Sequence, residues 1–230
     1  MKKILKKFIL KSSFVPTARA LILDLKKFIA RLQTKSMVKN YLKNNNKFPT
    51  KLHFGCGKRK VEDWLNIDLM NSDINIDFSK KTLPFPAKHF DIILSQHVIE
   101  HLEIKNELEP IFREFNRILK DDAIMYLSCP CIKKIVKSYL EDEAKTLFLG
   151  RKKRFPEYSL NGYPYVQALN EIFYQYGYHK NLFDLNLLTF CLKKTGFSKI
   201  EEISEEEFIS IFPKFNRNDG EQSLYVRVKK

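Results

Sequence analysis

Residues 51–102 read KLHFGCGKRKVEDWLNIDLMNSDINIDFSKKTLPFPAKHFDIILSQHVIEHL. The stretch opens with a short apolar strand running into a glycine turn, Gly55-Cys56-Gly57. An acid, Asp68, closes the next strand, and a second, Asp77, follows a third. Glycines at a strand end let the backbone turn sharply and approach a ligand without a Cβ in the way. Carboxylates at the ends of later strands are placed to accept hydroxyl or amino hydrogens. Together these describe a crevice at the carboxyl edge of a parallel sheet, shaped for a nucleoside.

The same alternation continues outward. Lys51–Gly55, Trp64–Asp68, Ile74–Asp77, Phe90–Ser95 and Ala123–Ser128 have the length and apolar content of buried strands, and two more are expected near Ser198–Ile203 and Ser223–Val228. Asn106–Lys120 is expected to be a helix with one apolar face. Asp184–Thr195 is another, with Asp184 as N-cap and Gly196 as its stop. Strands alternating with helices predict an α/β fold, a mainly parallel sheet covered on both faces. Residues 131–183 fit no simple alternation and are read as an insertion at the carboxyl edge, on the acceptor side of the crevice.

Charge divides the chain. Residues 1–50 hold thirteen Lys/Arg and one acid, for +12, whereas residues 51–230 hold twenty-eight Lys/Arg and twenty-six acids, for +2. Residues 1–46 are therefore read as a basic helical arm and 47–230 as the domain. Within the arm Ala18, Leu21, Ile22, Leu25, Phe28, Ile29 and Leu32 recur at helical spacing. Such a helix either lies on an anionic membrane surface or packs its stripe on the domain. Charges interrupt every apolar run, which excludes a signal peptide or a spanning helix. The four cysteines form no CxxC pair, so they are read as reduced thiols in a cytoplasmic protein, with the inner membrane face as a peripheral site.

LHFGCG, WLNIDL, IDF, LPFPAKHFDIILSQHVIEHL, FNRILKDDAIMYLSCP and LKKTGF, in that order, resemble the successive motifs of class I S-adenosylmethionine-dependent methyltransferases, in particular the small-molecule branch called methyltransferase type 11. Within it the chain is similar to enzymes associated with bacterial surface-polysaccharide biosynthesis. The resemblance is strong over residues 51–130 and loose over 180–230. It implies a Rossmann-like sheet, S-adenosylmethionine as cofactor, and methyl transfer to a small-molecule acceptor such as a hydroxyl or amine of a sugar or glycan precursor. By the same resemblance Phe54, Gly55, Cys56 and Gly57 border the methionine part, and Asp68 and Leu69 the ribose. Asp77 and Phe78 take the adenine, and Ser95, Gln96 and His97 line the sulfonium end. Gly55 to Asp68 is only thirteen residues, so the usual first crossover helix is expected to be missing.

His97 and His101, four apart, are expected on one helix face, with His97 as general base and His101 structural. His97, Glu100 and His101 could ligate a divalent ion, but His97 stands where metal-binding relatives of the motif place an acid, and no metal is expected. Tyr158, Tyr163, Tyr165, Tyr176, Tyr178 and His179 form an aromatic set suited to stacking on a sugar, though at least half are expected in the core. A nucleic-acid methyltransferase gripping RNA with the arm is disfavoured. Ser95-Gln96-His97 is not the [ND]PP[YFW] tetrad, and the domain is nearly neutral. A non-catalytic cofactor-binding module is the remaining alternative.

Overall fold

The computed structural model describes residues 14–230. A 32-residue helix, α1 (Phe14–Asn45), leads into β1 (Lys51–Phe54), β2 (Leu65–Asp68), β3 (Ile74–Asn75) and β4 (Phe90–Gln96). Then come α2 (Glu109–Ile118), β5 (Leu119–Pro130), and α3 (Ile132–Asp142), α4 (Lys145–Arg154) and α5 (Val166–Tyr174). The chain closes with α6 (Leu185–Lys194), β6 (Lys199–Ile203), α7 (Glu205–Ile211) and β7 (Ser223–Lys229).

The seven strands form one sheet in the order β3-β2-β1-β4-β5-β7-β6. All pairs from β3 to β5 are parallel, and β7 runs antiparallel to both neighbours. This is the Rossmann-like class expected from the sequence. Strand order reverses between β1 and β4, and at such a switch point the loops leaving the two strands part to open a crevice. No helix separates β1 from β2, only turns, so the short first crossover is real.

Both sheet faces are covered, which explains strands that are apolar without interruption. Neighbouring residues of β4 serve opposite sides. Ile93 joins Leu52, Phe54, Ile67, Phe112 and Phe115 in the larger core, while Leu94 joins Trp64, Tyr126, Phe208, Phe212 and Tyr225 in the smaller. The insertion has its own small core of Ile135, Ala144, Leu147 and Ile172. Asp184 caps α6 by accepting the Leu187 N–H at 2.8 Å.

The helix expected over Ala18–Leu32 extends to Asn45, and its two halves behave differently. Met37, Val38, Tyr41 and Leu42 pack on the larger core. Leu21, Leu25, Phe28 and Leu32, on one face further up, are exposed. Most of the expected stripe therefore does not pack on the domain; the helix is held by the apolar contacts of Met37–Leu42 and, further up, by Arg31, Gln33 and Thr34. Residues 1–13 of the arm lie outside the described residues. Among the described residues no helix is long and apolar enough to cross a membrane.

Candidate cofactor and acceptor site

The glycine turn is fastened to β2. Ile67 O accepts the N–H groups of Gly55 and Cys56 at 2.8 and 3.1 Å. Gly55 has φ +76°, and a Cβ there would lie 2.1 Å from Val98 Cγ2, so only glycine fits against the segment leaving β4. Gly57, at φ +55°, faces open space instead. Asp68 ends β2 beside it. One carboxylate oxygen accepts the Gly57 N–H at 2.7 Å and the other accepts the Leu69 N–H at 2.6 Å. A carboxylate has about four acceptor positions, so two remain. Burial, assisted by Asp68 and Asp73, pushes the Cys56 thiol up to about 12.

Asp68 and Leu69 line a cavity of about 230 Å³ together with Met70, Tyr178, and Ile22 and Lys26 of α1. A hollow of about 270 Å³ lies at the opposite end of β4 and β5, among Asp91, Lys120 and Asp121. It is remote from the glycine turn. At the carboxyl ends of β4 and β5 three buried polar groups, Ser95 Oγ, Gln96 Nε2 and Ser128 Oγ, have no hydrogen-bond partner. Leaving such groups unpaired costs about 1–3 kcal/mol each. An open glycine, a part-exposed carboxylate and orphaned polar atoms at the strand ends fit a polar nucleoside ligand. Phe78 stacks on Phe54, ring centroids 3.9 Å apart.

Asp77 does not fit its expected role. It is buried, and its oxygens are taken by Arg31 Nε at 2.6 Å and by the Ser79 N–H and hydroxyl at 3.0 and 2.7 Å. Burial would raise its pKa, but those donors outweigh it and hold the carboxyl below its ordinary range. Three of its roughly four acceptor positions are filled and the side chain is 2% exposed, so Arg31 and Ser79, not an adenine amino group, are the donors it meets here. Lys58 is exposed, and Arg59 donates to Asn216 O at 2.8 Å.

His97 and His101 share no helix face, because the chain turns at His97 in the left-handed region, φ +56°. A non-glycine residue there is held by its surroundings. Nε2 of His97 stands 2.8 Å from Asp219 Oδ2 and Nδ1 lies 3.2 Å from Glu100 Oε1. Burial opposes charge on the ring, but the two carboxylates outweigh it and raise the pKa. Neither nitrogen is left to take a proton from an acceptor, so the base role read from the sequence has no atom to act through. Asp219 is buried and also accepts from the Tyr225 hydroxyl and from Arg217. Glu205 accepts the Asp219 and Gly220 N–H groups at 2.7 and 3.0 Å. This polar network was missed in the sequence. No motif marks it, and Asp219 lies 122 residues beyond His97.

In the insertion the tyrosines are not core. Tyr163, Tyr165, Tyr176 and Tyr178 are exposed; Tyr158 is half-buried, with its hydroxyl donating to Glu171 at 3.0 Å. Arg151–Arg154 forms the last turn of α4. Arg151 lies over the Tyr158 ring at 4.6 Å and Arg154 pairs with Glu221.

Comparison with known proteins bears on this geometry. Residues 56–127 match a family model described as a methyltransferase domain. No curated protein matches the chain. Similar solved structures include a SAM-dependent methyltransferase from Archaeoglobus fulgidus, 18% identical, with 85% of this chain and 94% of that one covered at a TM-score of 0.44. A possible histamine N-methyltransferase from Thermotoga maritima is 14% identical, with coverages of 94% and 99% and a TM-score of 0.44. Haemonchus contortus phosphoethanolamine N-methyltransferase 2, in complex with S-adenosyl-L-methionine, is 16% identical, with 86% and 51% covered and a TM-score of 0.43.

Proposed function

We propose that this S-adenosylmethionine-dependent methyltransferase acts on a small acceptor, a hydroxyl or amine of a sugar or glycan precursor. One observation carries the reading: Asp68, on the cofactor side, and Tyr178, on the insertion, line the same cavity. The cofactor brings a sulfonium-bound methyl group, which is already electrophilic. Phe54, Gly55, Cys56 and Gly57 would border its methionine part. Asp68 and Leu69 would hold the ribose, Phe78 the adenine face, and Ser95 and Gln96 the sulfonium end. The chain's own task is to align the acceptor and keep water out, which positioning alone can make worth several powers of ten. Tyr163, Tyr165 and Tyr178 offer flat faces with hydroxyls for stacking on a sugar ring. His97 enters as the tie between β4 and Asp219, not as the base.

The exposed face Leu21, Leu25, Phe28 and Leu32 is proposed to seat α1 on an anionic membrane surface, with the exposed Lys35 and Lys39 on the same side of the helix. Pelleting with vesicles tests this. Binding to phosphatidylglycerol vesicles that weakens with salt and is lost in a Leu25→Gln/Phe28→Gln variant supports it; equal binding to neutral vesicles does not. Steeply salt-dependent RNA binding would instead revive the nucleic-acid reading.

Calorimetric titration with S-adenosylmethionine and S-adenosylhomocysteine tests the site itself. Micromolar binding abolished in Asp68→Ala is expected, followed by methyl transfer to sugar-nucleotide or glycolipid acceptors. Binding with no transfer to any acceptor would favour a cofactor-binding module.

A further inference from the structure

The Glu100 side chain is wholly buried, and neither carboxylate oxygen has an aligned hydrogen bond. Oε1 lies 3.2 Å from His97 Nδ1 and 3.9 Å from His179 Nε2. The His97 ring is its one near charge partner and Oε2 has no donor, so part of a buried carboxylate is left unsatisfied, which is costly. His101 and His179 flank it. His101 sets Nδ1 3.0 Å from Tyr178 O, and His179 sets Nδ1 2.5 Å from Ile172 O. A ring nitrogen facing a carbonyl must be the donor, so both rings carry their hydrogen on Nδ1 and leave a lone pair on Nε2. Metal-bound histidines are held in this way, with the far N–H fixed by a carbonyl. Nε2 of His179 is itself buried without a hydrogen-bond partner.

Ligand-capable atoms of Glu100, His101 and His179 all lie within 4.8 Å of one another. The segments that carry them are already joined. Glu100 O accepts the Lys180 and Asn181 N–H groups at 2.8 and 3.2 Å, and Asn181 Nδ2 donates to Leu102 O at 2.6 Å. Small side-chain rotations would bring the three atoms to the separation of a tetrahedral zinc site, about 3.3 Å.

We propose that Glu100, His101 and His179 bind a divalent first-row transition cation. Two imidazoles and one carboxylate suit zinc, cobalt or manganese better than magnesium or calcium, which prefer oxygen alone. The sequence reading weighed His97, Glu100 and His101 and set a metal aside because His97 stands where an acid is expected. His97 faces Asp219, and the missing ligand comes from His179 on the insertion. A bound cation would tie Tyr178–Asn181 to the end of β4, whatever acceptor the enzyme uses.

The test uses the tag-free full chain, stripped by chelator and titrated with Co²⁺ by visible absorption and with Zn²⁺ by calorimetry. One Co²⁺ per chain is expected, displaced by Zn²⁺, with a rise in the thermal midpoint. His101→Asn and His179→Asn should each weaken binding at least tenfold while circular dichroism remains native. Glu100→Gln should do the same, and if it does not fold the histidine variants suffice. No stoichiometric uptake by folded wild type, or unchanged uptake in the His101→Asn/His179→Asn double variant, overturns the proposal. So does equal affinity for Mg²⁺. None of these readouts depends on methyl transfer.

Discussion

Nε2 of His97 and Oδ2 of Asp219 stand 2.8 Å apart across 122 residues of chain, joining the end of β4 to the loop before β7. Asp219 is 2% exposed. Removing one member of such a pair leaves the other charge buried, at a cost of about 3 kcal/mol or more. Asp219→Asn should therefore lower stability by roughly that amount in urea unfolding. An unchanged midpoint would mean that the pair is solvated and holds nothing together.

His53 gives the fold an acid sensitivity. Its ring is buried beside Asn66, 3.2 Å from Oδ1, and burial lowers its pKa from 6.5 to about 4. Between those values the unfolded chain binds a proton that the folded one refuses. The stability that the neutral ring provides is complete above pH 6.5 and fades as pH falls toward 4, by up to about 3 kcal/mol. Unfolding measured across that range should show a slope that His53→Gln flattens. Parallel curves for the two proteins would remove the assignment.

Two glycines of the turn should respond differently. Gly55→Ala forces a Cβ into Val98 as well as a left-handed strain, and should cost more than 2 kcal/mol, about, while abolishing cofactor binding. Gly57→Ala meets no atom, and only the backbone strain of about 1–2 kcal/mol applies. Thermal unfolding with cofactor titration separates them; equal losses would mean that contact with Val98 is relieved by a shift of the loop.

Arg31 is the link between α1 and the sheet edge. Its loss would strand the buried Asp77 carboxylate with Ser79 alone. In Arg31→Ala, hydrogen exchange across Phe14–Asn45 should quicken. Exchange confined to its wild-type rate would show that Gln33, Thr34 and the apolar contacts of Met37–Leu42 suffice.

How far the sequence was legible follows from the range of each interaction. The strands, the glycine turn, the capped α6 and the absent first crossover helix were readable, because each is set by neighbours a few residues away. Asp77 looked like a free strand-end acid because nothing in IDF announces Arg31, 46 residues earlier. His97 looked like a base because its partner Asp219 is distant and carries no motif. At least half of the insertion's tyrosines were expected inside on residue type alone, which cannot tell a seam from a rim. Spacing along a chain reports periodicity; it does not report which distant charges meet.

α1 presents Ile22 and Lys26 to the crevice and Leu25 and Phe28 to the outside within the same turns. An α-helix is about 10–12 Å across. On the proposed reading, whatever grips the outer face stands about one helix width from Asp68, and that distance would set the reach of an anchored acceptor. A head group of one or two sugars on a lipid phosphate spans it. A long polymer end would have to fold back, and a freely diffusing molecule would need no such proximity at all.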